Sequence, residues 1–217
     1  WAREAPVTSD GPHYPLPLSG EDTTGLGKPL KPITHPLRAD IPVMLGAEGP
    51  KNVALAAEIA DGWLPIFYSP RISGMYNEWL DEGFARAGAR RTRETFEICA
   101  TAQIIVTDDR PMVMEMMKPH LALYMGGMGS EDTNFHAEVY RRMGYSEVVD
   151  DVTKLFRSDR KDEAAKVIPD ELVDDSAIVG DLDYVKEQIK AWEASGVTMM
   201  VVGAKSVEQI KQLAELV

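Results

Sequence analysis

"IPVMLGAEGPKNVALAAEIADGWLP" (residues 41–65) holds an apolar run, a glycine turn, a helical period and a second apolar run in one short span. Residues 41–47 are almost wholly apolar, as expected of a parallel strand buried on both faces. Pro50 suits the first turn of a helix, where its missing N–H is not needed. Val53, Ala56, Ala57 and Ala60 then recur at i, i+3, i+4 and i+7, a slim apolar stripe. "DGWLPIF" (61–67) reads as the next strand. The turn between strand and helix, Gly46 to Asn52, has two readings. A helix start with free N–H groups favours an anion such as a phosphate, with Gly49 allowing close approach, Lys51 adding a nearby charge and Asn52 an amide. Alternatively, it is a tight βα turn that uses glycine for a positive φ angle.

Working outward, the same alternation continues. Ile72, Met75, Tyr76, Trp79, Leu80 and Phe84 share one face of a second helix. "FEICATAQIIVT" (96–107) is rich in β-branched residues and predicts a third strand. Residues 110–125 read as a helix bent near Pro119, "GGMGSEDTN" as a turn, and 134–144 as a further helix. Short helices are expected over 145–175. Asp181 is a candidate N-cap for a helix whose stripe is Leu182, Val185, Ile189 and Trp192, with Gly196 at its C-terminal stop. "VTMMVVG" (197–203) is a fourth strand, and Ser206 with Gln209 predicts a capping box for a last helix over 207–217. Strand–helix alternation means an α/β fold with a parallel sheet. Four such units make half of a (β/α)8 barrel or most of a small doubly wound sheet, and periodicity does not choose between them. Residues 1–40 differ: rich in proline and glycine, they read as a loop segment in which "GPHYPLPL" could form a short edge strand. Trp1-Ala2-Arg3 reads as the end of a helix begun upstream, so the chain is expected to be a piece of something longer.

The chain has 217 residues and a net charge of -12, from 35 acidic and 23 basic side chains, without a basic cluster. That balance argues against nucleic-acid binding. No run reaches the roughly 18–20 apolar residues that span a bilayer. A single cysteine, Cys99, rules out a disulfide framework within the chain and fits a cytoplasmic location.

Other candidates for chemistry each have a plainer explanation. Asp61 in "ADGW" could face a pocket, but a helix-to-strand turn with Gly62 at the helix end is favoured. Trp63 is expected in the core. Met112, Met114, Met116, Met117, Met125 and Met128 suggest adaptable packing better than a soft metal site. No spacing of His13, His35, His120 and His136 makes a zinc site, and no metal is expected. His136, after a glycine turn, is the histidine kept as a pocket candidate. "PDELVDD" (169–175) reads as a solvated acidic loop.

"PHYPLPL", the stretch at 41–65 and "AIVGDLDYVKEQIKAWEASGVTMMVV" together resemble the C-terminal half of the luciferase-like superfamily. Within it they are similar to the coenzyme F420 (deazaflavin)-dependent branch of methylenetetrahydromethanopterin reductases and their actinobacterial relatives. The resemblance implies a (β/α)8 barrel with an insertion, usually a homodimer. Residues 42–47, 62–67, 96–107 and 197–203 would be barrel strands five to eight, and the region around 108–175 the helical insertion of a half-barrel domain spanning 41–217. It implies an oxidoreductase that transfers hydride between a small organic substrate and the deazaflavin. The cofactor phosphate would contact Gly46, Ala47, Glu48, Gly49, Pro50, Lys51 and Asn52. Tyr68, Arg71 and His136 would stand at the substrate rim. Ring-flanking and acid–base residues would belong to an upstream half-barrel, the expected partner, without which this portion would be inactive. An FMN-dependent monooxygenase and a catalytically silent relative of the same fold are the alternatives.

Overall fold

The computed structural model describes residues 1–21, 23–24, 26–30, 33–130 and 133–216. It divides into two units, Trp1–Pro42 and Val43–Val217. Among the described residues of the first, the regular pairing is limited to two antiparallel bridges, Val7 with Leu30 and Ser9 with Leu16. "GPHYPLPL" therefore supplies a bridge partner rather than a strand. Trp1–Arg3 carries no helical turn, and Arg3 sits at φ 59°.

The second unit is built on four parallel strands: β1 (Met44–Gly46), β2 (Gly62–Leu64), β3 (Glu97–Thr101) and β6 (Met199–Val201), in that spatial order. Sequential neighbours lie side by side with no reversal of strand order, whereas a doubly wound sheet reverses at its switch point. The order is that of consecutive barrel strands. Each is shorter than its apolar run. Phe67, at φ 54°, has left the extended conformation that 62–67 would require.

The run at 96–107 is not one strand. It breaks at buried Ala102, whose N–H donates to Val201 O (3.1 Å). Beyond the break, β4 (Gln103–Val106) pairs in parallel with β5 (Ala177–Gly180), a strand that residue periodicity did not reveal because all four of its residues are buried. Between β4 and β5 lie α3 (Arg110–Ala122), a π-helical turn (Leu123–Gly127), α4 (Phe135–Arg142), α5 (Ser146–Arg157), α6 (Lys161–Lys166) and α7 (Asp170–Asp174). Pro119 is held inside α3, and the looser i→i+5 winding follows within a turn of it. Of the predicted turn before α4, Glu131 and Asp132 lie outside the described residues.

The remaining helices follow their stripes. In α1 (Pro50–Ile59) and its C-cap, Val53, Ala56, Ala57 and Ala60 are buried. In α2 (Ser73–Phe84), Tyr76 and Leu80 reach the core while Met75, Trp79 and Phe84 pack against it. In α8 (Leu182–Ala194), Asp181 accepts from Tyr184 N (2.8 Å), and Gly196 takes φ 99° beyond the last turn. In α9 (Val207–Ala214), Ser206 Oγ accepts from Gln209 N, but the Gln209 side chain answers to Lys205 N, one residue before the cap. Val217, at the end of the predicted helix, is outside the described residues.

Two apolar cores result. One joins the sheet to α1, α2 and α8 through Val53, Trp63, Leu80, Ile98 and Trp192. The other fills the helical insertion through Met114, Met125, Tyr140, Val149 and Leu172. Among the described residues no helix is long and apolar enough to cross a membrane.

Candidate functional site

The turn after β1 sits at the carboxyl end of a strand and at the start of α1. Gly49 is the N-cap at φ -104°, ψ 158°, an extended conformation open to any residue. Gly46 does not take a positive φ either. The reading in which glycine serves a left-handed turn is therefore corrected. A Cβ built on Gly49 meets nothing within 4 Å, so the glycine faces open space. Asn52 N and Val53 N both donate to Gly49 O (3.1 and 2.9 Å), while Gly49 supplies no capping side chain and Pro50 no N–H. The N–H groups of Gly49 and Lys51 thus have no partner in the helix or its cap, the arrangement that receives an anion.

Three contacts fix this turn from within its unit. Trp63, on β2 and buried as expected, donates its indole N–H to Ala47 O (2.8 Å). Arg142 Nη1, from α4, reaches Glu48 O (3.4 Å) while its guanidinium lies over the Trp79 ring. His136 Nδ1 stands 2.9 Å from Glu48 Oε1.

His136 is where it is because Asn134 caps α4. The Asn134 carbonyl accepts from His136 N and Ala137 N (both 3.1 Å), and its amide donates to Tyr124 O and Met125 O (2.9 and 2.8 Å). Both polar atoms of the Asn134 side chain are thereby engaged, the oxygen on the first turn of α4 and the nitrogen on the π-helical turn. The imidazole packs edge-on against Tyr124 and Phe67. Its approach to Glu48 is close enough for an ion pair. His136 Nδ1, Glu48 Oε2 and the Tyr140 hydroxyl are buried without hydrogen-bond partners among the described residues. Burial lifts the Glu48 carboxyl above its usual range, against the pull of His136 and Arg142. Burial, then the Glu48 charge, pushes the Tyr140 phenol well up.

The loop after β2 divides its two candidates. Tyr68 does not reach a rim: it is 1% exposed, stacks on Tyr76, and donates to Ser195 O (3.1 Å). An apolar neighbourhood of Trp63, Tyr76 and Trp192 drew the ring into the core. Arg71 is half-exposed and held rigidly. Its Nε and Nη2 reach the two Asp175 oxygens (3.0 and 2.6 Å), and Nη2 also donates to Met143 O (2.8 Å). Ser69 and Tyr145 hydroxyls complete the Asp175 shell (2.8 and 2.7 Å). Burial alone would raise the Asp175 carboxyl, but Arg71, Tyr145 and Ser69 outweigh it and hold it below its usual range.

This also corrects the "PDELVDD" reading. Much of that stretch is helix α7, with Leu172 and Val173 buried. Asp170 pairs with Lys118, Asp174 with Arg110 and Asp175 with Arg71, so these carboxylates serve packing. Asp61 likewise serves the fold. It is buried and accepts from Val43 N (2.8 Å), Arg90 Nε (2.7 Å) and Arg91 Nε (2.7 Å). Gly62 is not a helix stop but a strand residue, where a Cβ would lie 2.7 Å from Glu97 O.

Met114 and Met125 are core residues, while Met112 and Met116 are exposed. Among the described residues no group of three or more His, Cys, Asp or Glu is placed to hold a metal. A cavity of about 1290 Å³ between α8, β6 and α9 shares no lining residue with the turn.

Sequence reasoning brought Glu48 and His136 forward separately and missed Tyr140, Arg142 and Asn134. The signal for Tyr140 was present: it stands at i+4 from His136 on one helix, hence on the same face.

Parallel βα units that offer a helix start at the carboxyl end of a strand define a partial (β/α)8 barrel. The chain belongs to the luciferase-like monooxygenase family, whose pattern matches residues 1–199. Over its full length it is 77% identical to a Mycobacterium tuberculosis protein provisionally named a coenzyme F420-dependent oxidoreductase, and it spans 62% of that protein. It is 32% identical to the 5,10-methylenetetrahydromethanopterin reductase of Archaeoglobus fulgidus, over 76% of this chain and 48% of that one. Among solved structures, the coenzyme F420-dependent tetrahydromethanopterin reductase from Methanopyrus kandleri superposes with a TM-score of 0.62 at 25% identity. That match covers 82% of this chain and 49% of the reductase. An F420-dependent secondary alcohol dehydrogenase, in complex with an F420-acetone adduct, superposes on the whole chain and 56% of its own (TM-score 0.64). At 15% identity this second likeness speaks to the fold.

Proposed function

We propose that the protein is a coenzyme F420-dependent oxidoreductase that binds the cofactor phosphate on the Gly46–Asn52 turn. The reaction is hydride transfer to or from a small organic substrate. The observation that carries the reading is Gly49: an ordinary backbone conformation, open space where a side chain would be, and helix-start N–H groups without partners in the helix or its cap. The names of the relatives support the choice of cofactor. The deazaflavin supplies the hydride chemistry. This chain's residues hold its anionic tail: Gly49 and Lys51 through backbone N–H groups, Asn52 through its amide, with Trp63 keeping the turn from yielding. Arg71, locked by Asp175, presents a fixed cation at the neighbouring strand end for a polar or anionic substrate group. Dimerisation and a cytoplasmic location belong to the same reading.

Fluorescence quenching distinguishes the cofactors. The protein is expected to quench F420 at lower concentrations than it binds FMN. Binding of FMN alone would favour the monooxygenase reading that the family's description suggests, and binding of neither would favour a silent relative. Gly49→Asp tests the turn itself. Because φ is ordinary and the space is open, aspartate fits, and as an N-cap it should leave stability equal or slightly higher. Its charge against the phosphate should weaken cofactor binding by about 10- to 100-fold. A stable variant with unchanged affinity would remove the phosphate from this turn.

A further inference from the structure

The turn assigned to an anionic cofactor carries an anion of its own. Glu48 immediately precedes Gly49, and its side chain is only 20% exposed, so it is not free to turn into solvent. A bare carboxylate there would oppose the binding that the helix start favours.

Cations near Glu48 are few. Arg142 touches the Glu48 backbone carbonyl and lies over Trp79, and Lys51 is exposed on α1. Among the described residues, the basic side chain that stands at ion-pair distance from the carboxylate itself is His136, at 2.9 Å, which pairs with it when protonated. It comes from a different element and is held by a cap whose side-chain polar atoms are both engaged. The hydroxyl of Tyr140, from the same face of α4, stands by without a partner. Both side chains are partly buried, and a proton carried on His136 would remove net charge from that corner of the turn.

We infer that His136 is a charge-compensating residue, neutralising Glu48 so that the Gly46–Asn52 turn accepts the phosphate of its cofactor. His136 thus acts through Glu48 as a positioning residue rather than by touching the cofactor. The inference rests on the F420 reading above and goes beyond it, giving the helical insertion a part in cofactor affinity.

A double-mutant cycle tests it, with F420 binding followed by fluorescence quenching on the wild type, His136→Gln, Glu48→Gln and the double variant. His136→Gln is expected to weaken binding by about tenfold, the scale of one uncompensated nearby charge. Glu48→Gln, a nearly isosteric change, is expected to bind at least as tightly as wild type. The double variant should return to within about twofold of Glu48→Gln, because with the carboxylate gone there is nothing to compensate. A double variant as weak as His136→Gln would mean that the histidine supports the fold, and would overturn the inference. So would a Glu48→Gln variant weaker than wild type, since the carboxylate would then be a ligand in its own right. Normal F420 binding by both wild type and His136→Gln overturns the inference and leaves the F420 reading standing. A wild type that does not quench F420 overturns both.

Discussion

Asp61→Ala is expected to destabilise the fold by about 3 kcal/mol at neutral pH, read from urea unfolding. The aspartate joins three separate pieces of chain. Its backbone, immediately before β2, donates to Val43 O (2.9 Å) and accepts from Glu97 N (3.1 Å). Its side chain takes the Val43 N–H and two arginines from the loop after α2. Alanine would leave the Val43 N–H short of an acceptor in a part-buried position. Arg90 and Arg91 are about one-third or more exposed and would rehydrate, which keeps the loss below that of a fully buried pair. The effect should fade in acid. The Arg90 hydrogen bond is the first of the interactions that hold the Asp61 carboxyl at about 2 rather than the usual 3.8. A depressed carboxyl stabilises the fold fully above its ordinary value and loses that contribution as pH falls towards and through about 2. The difference corresponds to about 2 kcal/mol. Wild type and Asp61→Ala should therefore converge on acidification, with roughly half of this contribution gone by about pH 3. A difference that stays constant down to that pH would mean that Asp61 acts through packing rather than charge.

Gly83→Ala is expected to be nearly as damaging, although alanine is the better helix former by about 1 kcal/mol. Gly83 is where α2 crosses α1. A Cβ there would lie 2.1 Å from Ala54 O and 2.6 Å from the Ala57 Cβ. The obstacle is backbone and a methyl group, not the flexible end of a long side chain, so the helices must separate. Overpacking of this kind outweighs the gain in propensity, for a net loss of about 2–3 kcal/mol. The melting temperature should fall by about 5–10 °C. Because α1 carries the Gly46–Asn52 turn at its start, the same variant should also weaken cofactor binding. A variant as stable as wild type would show that the two helices can part at no cost. Gly83 lies inside a helical stripe and carries no turn signal, so nothing local marks it as the crossing point.

That contrast runs through the whole molecule. Features set by neighbouring residues were legible: the stripe of α1, the Asp181 and Ser206 caps and the Gly196 stop each depend on positions within a turn of one another. Features set by meetings across the chain were not. The break at Ala102 exists because two different strands, β6 and β5, pair with successive halves of one apolar run. Tyr68 looked like a rim residue from its loop but was claimed by a core assembled from Tyr76 and Trp192. Of the candidate site, the turn was visible as a strand–glycine–helix junction. The Arg71–Asp175 clamp and the Glu48–His136 approach join residues far apart in sequence, and no spacing rule reports them. The carboxylates of 169–175 were misread for the same reason, since their arginine and lysine partners lie on α3 and the loop after β2.

The break at Ala102 has a consequence for how this architecture can change. β4 and β5 pair in parallel, and the helices α3 to α7 form the crossover excursion between them. The free energy of closing so long an excursion grows only slowly with its length. Helices can thus be lengthened, lost or exchanged within the crossover while the register of β1, β2, β3 and β6 stays as it is. The two sides of the Glu48–His136 contact therefore have different histories open to them. The turn is bound to the sheet and must be inherited with it. The wall that carries His136 and Tyr140 belongs to the excursion, and can be rebuilt without disturbing the strand ends.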